Sequence, residues 1–384
     1  QGDGRSGDET GGMKTAVIPV LIAAVTLAAS AAFAGKTIVW DKSTLVEVQR
    51  GGGYPRMIRL KGGDILACFE LRGKVCVKRS ADEGKTWDGF VEVAGVPSGS
   101  ASNPELLQLA NGWVLLMYNE RPKDGVHRFS IHLSVSTDGG RAWRAHSLAY
   151  EADTVWDNGC WEPAAIQLPS GEIQLFFANE NPYRESAEQE ISLVRSFDNG
   201  RTWSKAKAIS FRPNHRDGMP SPLMLQGGKG LVVAVEDNGY SVMFHPVIVH
   251  SSVEDNWKSR AASGGSPRRW RAVKAPLSSE WGGAPYIRQM PGGETVLSFQ
   301  SSVGRKLPQI VVYVGDENAR NFEGRSVPFE IKPEDAAWWN SLFVKNEPTI
   351  TAFSQCNGGV WAIDGRIVDA LEGGARITSC RSRS

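Results

Sequence analysis

A motif of eight residues occurs three times in this chain at nearly constant spacing. Its copies are SADEGKTW, STDGGRAW and SFDNGRTW, which end at Trp87, Trp143 and Trp203. In every copy a Ser is followed by Asp two residues later, by Gly two residues after that Asp, and by a closing Trp. The copies lie 56 and 60 residues apart, and a fixed period of this size indicates repeated supersecondary units. The sequence therefore predicts a repeat architecture.

Each residue type of the motif has a role in a tight turn. The Asp can accept hydrogen bonds from the backbone of its own turn, the Gly can adopt a positive φ, and the Trp can anchor the turn in apolar surroundings. A fourth and less complete copy ends at Trp257. The motifs resemble the Asp boxes of the sialidase superfamily, in which each box closes an outer hairpin of a β-propeller blade. Because the turn already uses the Asp, the boxes predict the fold and not the reaction.

A second repeat covers the rest of the chain and predicts its strands. Each copy has an early Pro, a Leu five residues later (Met in the fifth copy), a Gly turn and an apolar run, with Pro at positions 55, 104, 163, 220 and 285. A sixth copy, WNSLFVKNEPTITAFSQ, lacks the early Pro. Each copy predicts two strands, followed by a third strand, the box and a fourth strand. Six units of four strands predict an all-β, six-bladed β-propeller with Asp-box repeats, formed as one domain by residues 35–384.

The propeller is expected to close through its two ends. The segment LVEVQR, which ends at Arg50, resembles the fourth-strand segment FVEVAG, which ends at Gly95. We therefore expect LVEVQR to complete the last blade, so that the beginning of the domain pairs with its end.

The beginning of the chain predicts export. From Met13 the sequence has one Lys, an apolar run and then Ala32-Phe33-Ala34, which is the pattern of a secretory signal peptide with an A-x-A cleavage site. We expect residues 1–34 to be a leader and signal peptide, cleavage after Ala34, and a secreted or periplasmic protein. A transmembrane anchor is the less favoured alternative, because small residues end the run and no basic stop-transfer segment follows.

Composition narrows the class of partner. Lys plus Arg number 43 and Asp plus Glu number 42, so no basic surface for nucleic acid is implied. No zinc pattern, P-loop or dinucleotide fingerprint occurs, and we expect no cofactor, no metal and no membrane partner after signal cleavage, in a monomer. Among the five Cys, Cys68 and Cys76 flank a short turn. They are interpreted as either a disulfide or two packed free thiols.

The repeat gathers another set of residues at the propeller end opposite the boxes. Loops leading into first strands meet the ends of second strands there. The second strands end in polar residues: Glu70, Asn119, Asn179, Glu236 and Gln300. Five of the 13 Trp fall in the leading loops: Trp156, Trp161, Trp281, Trp338 and Trp339. Flat apolar rings beside directional hydrogen-bonding groups are suited to binding a sugar.

Two carboxylates at this end are candidates for chemistry. Glu162 begins the first strand of blade three, and Glu236 ends the second strand of blade four. Adjacent blades bring both to the axis, and glycoside hydrolysis needs such a pair. Glu236 follows an apolar run, and burial would raise its pKa, which suits a proton donor. The alternative is that each carboxylate forms a structural salt bridge, with Arg216 or Arg56.

The ordered set WEP, SFDNGRTW, RDGMP, VEDNG, GGAP and WNSLFV resembles glycoside hydrolase family 93, which comprises secreted six-bladed exo-α-1,5-L-arabinanases. The resemblance spans about residues 50–366. It implies a retaining exo-glycosidase for α-1,5-L-arabinan or a related plant-type oligosaccharide, with Glu162 as nucleophile and Glu236 as acid/base. The expected substrate-binding residues are Arg56, Asn119, Asp157, Asn158, Trp161, Arg216, Asp217, Trp281, Trp339 and Asn340, with Glu105 as a further candidate.

Two alternative functions remain open at this stage. The first is an exo-sialidase, because Arg56 lies where sialidases carry their first carboxylate-binding Arg. Sialidases also need two more such Arg and a late Tyr nucleophile, and the late segment 338–341 reads WWNS. The second is a non-catalytic carbohydrate-binding propeller, since fold does not fix function.

Overall fold

The computed structural model describes residues 35–241, 243–274 and 281–370. Their strands form six antiparallel sheets. The first strand of every sheet packs against the first strand of both neighbouring sheets, in a closed circle. The predicted all-β, six-bladed propeller is therefore confirmed. The predicted signal peptide and Cys380 lie outside the described residues.

Five blades contain four strands each. Within each sheet the strands are paired in chain order, from the first to the fourth. Blade one comprises β3 (Gly53–Arg59), β4 (Ile65–Leu71), β5 (Lys74–Ser80) and β6 (Val91–Gly95). Blade two comprises β7 (Gly99–Gln108), β8 (Val114–Pro122), β9 (Ser130–Ser136) and β10 (Arg144–Glu151). Blade three comprises β11 (Cys160–Gln167), β12 (Ile173–Asn179), β13 (Glu190–Ser196) and β14 (Lys207–Ser210). Blade four comprises β15 (Asp217–Leu225), β16 (Gly230–Asp237), β17 (His245–Ser251) and β18 (Arg269–Arg271). Blade five comprises β19 (Gly282–Gln289), β20 (Thr295–Ser301), β21 (Gln309–Gly315) and β22 (Glu323–Ser326).

Blade six joins the two ends of the propeller. Its strands are β23 (Trp338–Val344), β24 (Thr349–Cys356), β25 (Gly359–Asp369), β1 (Lys36–Trp40) and β2 (Val46–Arg50). Both β1 and β2 pair with the long β25: β2 pairs with its beginning, residues 359–362, and β1 pairs with its end, residues 365–369. The prediction that LVEVQR completes the last blade is confirmed, and β1 adds a second N-terminal segment that was not predicted. Short 3-10 helices span Lys42–Thr44, Trp156–Asn158 and Gln226–Gly228.

The three Asp boxes form the loops between third and fourth strands and use their residues as predicted. In the third box, Ser196 Oγ donates to Asp198 Oδ1 at 2.8 Å, and the same oxygen accepts the Thr202 backbone N–H at 2.9 Å. Gly200 has φ +79°. Because strands alternate in direction, these loops lie at one end of the propeller, and the starts of first strands lie at the other.

The less complete fourth box keeps part of this pattern. Ser251 Oγ donates to Asp255 Oδ2 at 2.9 Å and accepts the backbone N–H of Trp257. The Trp257 ring is fully buried and meets Phe176 edge-on, with ring centroids 5.8 Å apart. The less complete fourth box therefore packs blade four against blade three.

Apolar side chains fill the spaces between blades and settle the question of the two cysteines. Cys68 is opposite Val77 and Cys76 is opposite Phe69 on paired strands, so the two thiols point to opposite faces of the sheet. They belong to different core clusters, and both are free. Among the described residues, no helix has the length and apolar character needed to cross a membrane.

Candidate active site

The first strand of every blade begins with a β-bulge, which the sequence analysis did not predict. The pairing register shifts there in all six blades. The bulged residues share a positive φ of about 50–60° and are Tyr54, Asn103, Glu162, Met219, Ala284 and Trp339. In five blades a Pro follows directly. Pro has no N–H that a disrupted ladder could leave unpaired, so the repeated Pro marks the bulge.

The bulged residues converge on the propeller axis. Tyr54, Met219 and Ala284 are buried against one another with Trp339 beside them, although they come from four different blades. Tyr54 Oη lies 3.9 Å from Met219 Sδ. We call the six bulged residues together with Glu236 the axial site.

Three polar side chains at the ends of second strands hold bulges in place. Each of the three reaches to the next blade and accepts the backbone N–H of the bulged residue there. Gln300 of blade five does not, because its buried side-chain oxygen and nitrogen have no hydrogen-bond partner among the described residues. The three acceptor and donor pairs are Glu70 Oε1 with Asn103 N (2.6 Å), Asn119 Oδ1 with Glu162 N (2.8 Å) and Glu236 Oε2 with Ala284 N (2.7 Å). The repeated polar residue therefore connects blades, as well as lining the site.

Blade three has no polar residue at this position. The register places Ala178 where the other blades have the polar residue. Asn179, which the sequence analysis put in this set, lies one residue further and donates to Tyr150 Oη and Ser192 Oγ. The N–H of Met219 instead donates to Glu162 Oε2 at 2.9 Å. Glu162 is thus both a bulged residue and the acceptor that connects blade three to blade four.

Glu236 is enclosed by two glycines. A Cβ on Gly218 would lie 3.0 Å from Glu236 Oε1, and one on Gly283 would lie 2.7 Å from Oε2. A larger residue at either position would displace the carboxyl group. The sequence motifs RDGMP and GGAP therefore contain the space that this side chain occupies.

The two carboxyl groups of the axial site are electrostatically coupled. Burial raises the pKa of Glu236 to about 8, and the nearby charge of Glu162 contributes to this rise. Burial also raises the pKa of Glu162, but the Met219 N–H and the charge of Arg121 oppose the rise. Glu236 is therefore an acid that is protonated at neutral pH, and the anion of its neighbour Glu162 is better stabilised.

A second group of polar side chains surrounds Glu162. Trp161 Nε1 donates to Glu180 Oε2 at 2.8 Å. Arg216 also bonds to Glu180 and donates to Gln189 Oε1 at 2.6 Å. Arg216 and Trp161 thus both contact Glu180 beside Glu162. Sequence reasoning missed Glu180 and Arg121. The available signal was the dipeptide Asn-Glu, which recurs at 119–120 and 179–180 near the ends of the second strands of blades two and three.

Aromatic rings lie on two sides of the site. Trp156 and Trp161 are in contact, with centroids 4.7 Å apart, and Trp156 is 58% exposed. On the other side Trp281, Trp338 and Trp339 form a row, with centroid separations of 6.0 and 6.3 Å. The predicted Trp281 and Trp339 are thus placed near Glu236 and the axis. Within the part of the chain that the structure describes, no cluster of His, Cys, Asp and Glu is arranged to hold a metal ion.

Arg56 does not reach the site surface, contrary to the expectation for a substrate-binding residue. Its side chain is 4% exposed, with the guanidinium 4.1 Å from the Tyr54 ring centroid and 4.8 Å from that of Tyr286. Arg56 Nε donates to Glu105 Oε2 at 3.2 Å. These residues come from blades one, two and five, so they fill the central channel beneath the bulges.

Asp217 is also buried and unavailable to a substrate. Its carboxylate receives two hydrogen bonds from Arg269, at 2.6 and 2.7 Å, and one from Ser210 Oγ. Arg269 also pairs with Asp237. Asp217 and Asp237 flank Gly218 and Glu236 in paired strands, so this buried network supports the strands that carry Glu236.

The remaining candidates occupy varied positions. Asn119 and Asn340 are buried, and Asn340 Nδ2 donates to the Ala284 carbonyl at 2.8 Å. Both residues position backbone instead of facing the opening. Asp157 is exposed and Asn158 partly exposed, in the short helix that follows Val155.

No protein-family model matches the sequence, and a search of curated proteins finds no match. Among solved structures, the chain is similar to an α-L-arabinanase of Penicillium chrysogenum in complex with arabinobiose, with TM-score 0.68, 20% identity, and coverage of 86% of this chain and 98% of that one. It is similar to the family 93 α-L-arabinofuranosidase of Fusarium graminearum with arabinobiose, with TM-score 0.67, 18% identity and coverage of 86% and 98%. The NanB sialidase of Streptococcus pneumoniae gives TM-score 0.56, 12% identity and coverage of 85% and 70%. At these identities the likeness establishes a sialidase-like six-bladed propeller, the fold that the sequence resemblance implied.

Proposed function

We propose that this chain is a retaining exo-glycoside hydrolase of α-1,5-L-arabinan or a related plant-type oligosaccharide, exported by cleavage of residues 1–34. One observation carries the proposal. Two carboxyl groups from adjacent blades, Glu162 and Glu236, lie against the same Gly218–Met219 segment: Glu162 Oε2 accepts the Met219 N–H, and a Cβ on Gly218 would lie 3.0 Å from Glu236 Oε1. The neighbours bound to arabinobiose support this substrate class.

The geometry supports a separate role for each carboxyl group. Glu236, with a pKa raised to about 8 by burial and by Glu162, is protonated at neutral pH and can donate to the leaving oxygen. Glu162, held by the Met219 N–H, attacks the anomeric carbon as the glycosidic C–O bond breaks. Water then displaces Glu162 from the glycosyl-enzyme and gives its proton to Glu236.

The guanidinium groups near the site favour a neutral sugar over a sialic acid, because each already has a partner. Arg216 pairs with Glu180, and Arg121 donates to Asn103 and lies over the Trp161 ring. Arg56, which also acts on Glu70, is buried and pairs with Glu105. The Tyr286 hydroxyl does contact Glu105, as a sialidase nucleophile would contact its base, but Tyr286 is buried in the central channel.

A non-catalytic propeller is less well supported. Burying two coupled carboxyl groups costs stability, and a scaffold gains nothing from their raised pKa values. A structural role would be satisfied by Asn or Gln, which accept a backbone N–H equally well, as Asn119 does for Glu162.

The first experiment tests the substrate, and a second one tests the mechanism. The protein is incubated with debranched arabinan, with a sialyl-lactose and in buffer alone, and products are separated by thin-layer chromatography. We expect short arabino-oligosaccharides and no free sialic acid; release of sialic acid alone would overturn the substrate proposal.

Two variants then test the roles. Glu162→Gln should be inactive on every substrate, because the attacking charge is absent. Glu236→Ala should retain faster glycosylation on a nitrophenyl glycoside, whose leaving group needs no proton, and added azide should yield a glycosyl azide of retained configuration. Equal loss on both substrates without an azide product would contradict these roles.

A further inference from the structure

A cationic side chain to which the sequence analysis assigned no role, that of Arg121, lies over Trp161, the residue before Glu162. Arg121 follows Asn119 by two residues on β8, so both side chains point to the same face of the sheet. Asn119 holds the backbone on both sides of Trp161, through the Cys160 carbonyl at 2.6 Å and the Glu162 N–H at 2.8 Å. The end of β8 therefore encloses the segment that presents Glu162.

The Arg121 guanidinium is fixed by stacking as well as by hydrogen bonding. It lies 5.1 Å from the Trp161 ring centroid and 5.9 Å from that of Trp156, a cation–π arrangement. It also donates to Asn103 Oδ1. Arg121 is therefore held near Glu162 without being neutralised by a direct ion pair among the described residues.

Arg121 lies on the side of the axial site that belongs to Glu162. Its guanidinium lies over the ring of Trp161, the residue before Glu162, and donates to Asn103 of blade two. The Glu236 carboxyl group lies between Gly218 of blade four and Gly283 of blade five. The charge of Arg121 therefore favours the anion of Glu162, whereas the cation that favours the anion of Glu236 is Arg216. Arg216 acts on both and so does not distinguish them. The titratable and charged groups around Glu162 are Tyr54, Arg121, Glu180, Arg216 and Glu236.

We propose that Arg121 is the positioning residue that assigns the two roles: its charge keeps Glu162 as the anion and leaves the proton on Glu236. The proposal rests on the proposed glycosidase function for its catalytic meaning. Its electrostatic content can be measured without a substrate. The Met219 N–H acts in the same direction on Glu162, so removing Arg121 should weaken the difference between the two carboxyl groups rather than reverse it.

The test is a titration of carboxyl groups by NMR in the full chain labelled with 13C-glutamate, with Glu162→Gln and Glu236→Gln used for assignment. Arg121→Met removes the charge and keeps an apolar stem over Trp161. We expect the titration of Glu162 to rise by about one pH unit or more, as for loss of an opposite charge at close range. Arg121→Lys should stay near the wild type.

A matched control is Arg201→Met, because the Arg201 guanidinium also stacks on a tryptophan, Trp113 at 5.4 Å, but lies within the third Asp box at the opposite end. It should leave Glu162 unchanged. If Arg121→Met fails to fold, as judged by thermal unfolding, Arg121→Gln takes its place. An unchanged Glu162 titration in a folded variant overturns the proposal.

Kinetics then separate this inference from the proposed function. If the protein hydrolyses arabinan, the acidic limb of kcat/KM should move upward in Arg121→Met by the same amount as the Glu162 titration, and Arg121→Lys should restore it. A protein inactive on all glycans, but with the shifted titration, supports the role of Arg121 and contradicts the glycosidase. An active protein with an unmoved acidic limb contradicts the role of Arg121 alone.

Discussion

The raised pKa of Glu236 predicts that this residue makes folding stability depend on pH. A carboxyl group with an ordinary value of 4.5 that rises to about 8 in the folded state is favoured there in its protonated form. Its contribution to stability is complete below pH 4.5 and is lost as the pH rises towards 8. Glu236→Gln resembles the protonated form at every pH, so the variant should not lose this contribution.

The size of the effect follows from the same rise. At about 1.4 kcal/mol per pH unit, a rise from 4.5 to about 8 sets an upper limit of about 5 kcal/mol. Glu236 is partly exposed, and solvent screening reduces the effect, so we expect Glu236→Gln to gain about 2–3 kcal/mol over the wild type above pH 8. Below pH 4.5 the difference should fall to a small constant.

The measurement is urea unfolding of wild type and variant from pH 4 to pH 9, with the difference in unfolding free energy plotted against pH. Glu323→Gln is the control, because Glu323 is an exposed carboxylate on the outer strand of blade five. In a Glu162→Gln background the pH-dependent part should shrink, since one cause of the raised pKa is gone. A difference that stays constant from pH 4 to pH 9 would refute this reasoning.

Four further predictions concern the fold and the site. Asp198→Ala removes a turn acceptor and should cost about 1–2 kcal/mol in thermal unfolding without changing activity; normal melting with no activity would contradict the assignment of the boxes to the opposite end. Asp217→Asn breaks a buried ion pair and should cost about 3–5 kcal/mol in urea unfolding; a loss below about 1 kcal/mol would refute it. Ala178→Asn should restore the inter-blade acceptor of the other blades and release Glu162, lowering kcat with little loss of stability; unchanged kcat would contradict this. N-terminal sequencing of exported protein should begin just after Ala34, and a start at or before residue 13 would contradict the signal peptide.

The propeller was predictable because its repeats are marked at both ends of each blade. The boxes mark the loops after third strands, and the repeated Pro marks the start of first strands. The repeat alone also predicted that Glu162 and Glu236 lie at the same end of the propeller. The closure of the ring was predicted from the similarity of two short segments, LVEVQR and FVEVAG.

The candidate site was less predictable, because a repeat gives the height of a residue on a strand but not its face. A bulge adds one residue, and every later side chain then moves to the other face. Arg56 follows the bulge at Tyr54 by two residues and is buried. Asp217 precedes the bulge at Met219, and its burial goes with its hydrogen bonds to Arg269. Arg121 and Glu180 were missed because they come after the repeated polar residues Asn119 and Asn179, where the repeat no longer aligns the blades.

The pairing of β1 and β2 with β25 also sets an order in time. Lys36 is opposite Asp369, so the first strand of the propeller to be synthesised finds its partner only when the last one has been made. Until then two strands lack partners and the ring stays open, with unpaired edges that can join other chains. Closing a contact over such a separation is slow compared with forming a single blade. The ring can therefore close only in a chain that includes β25. A chain that stops before residue 359 can form most of its blades, but it has no strand with which β1 and β2 can pair.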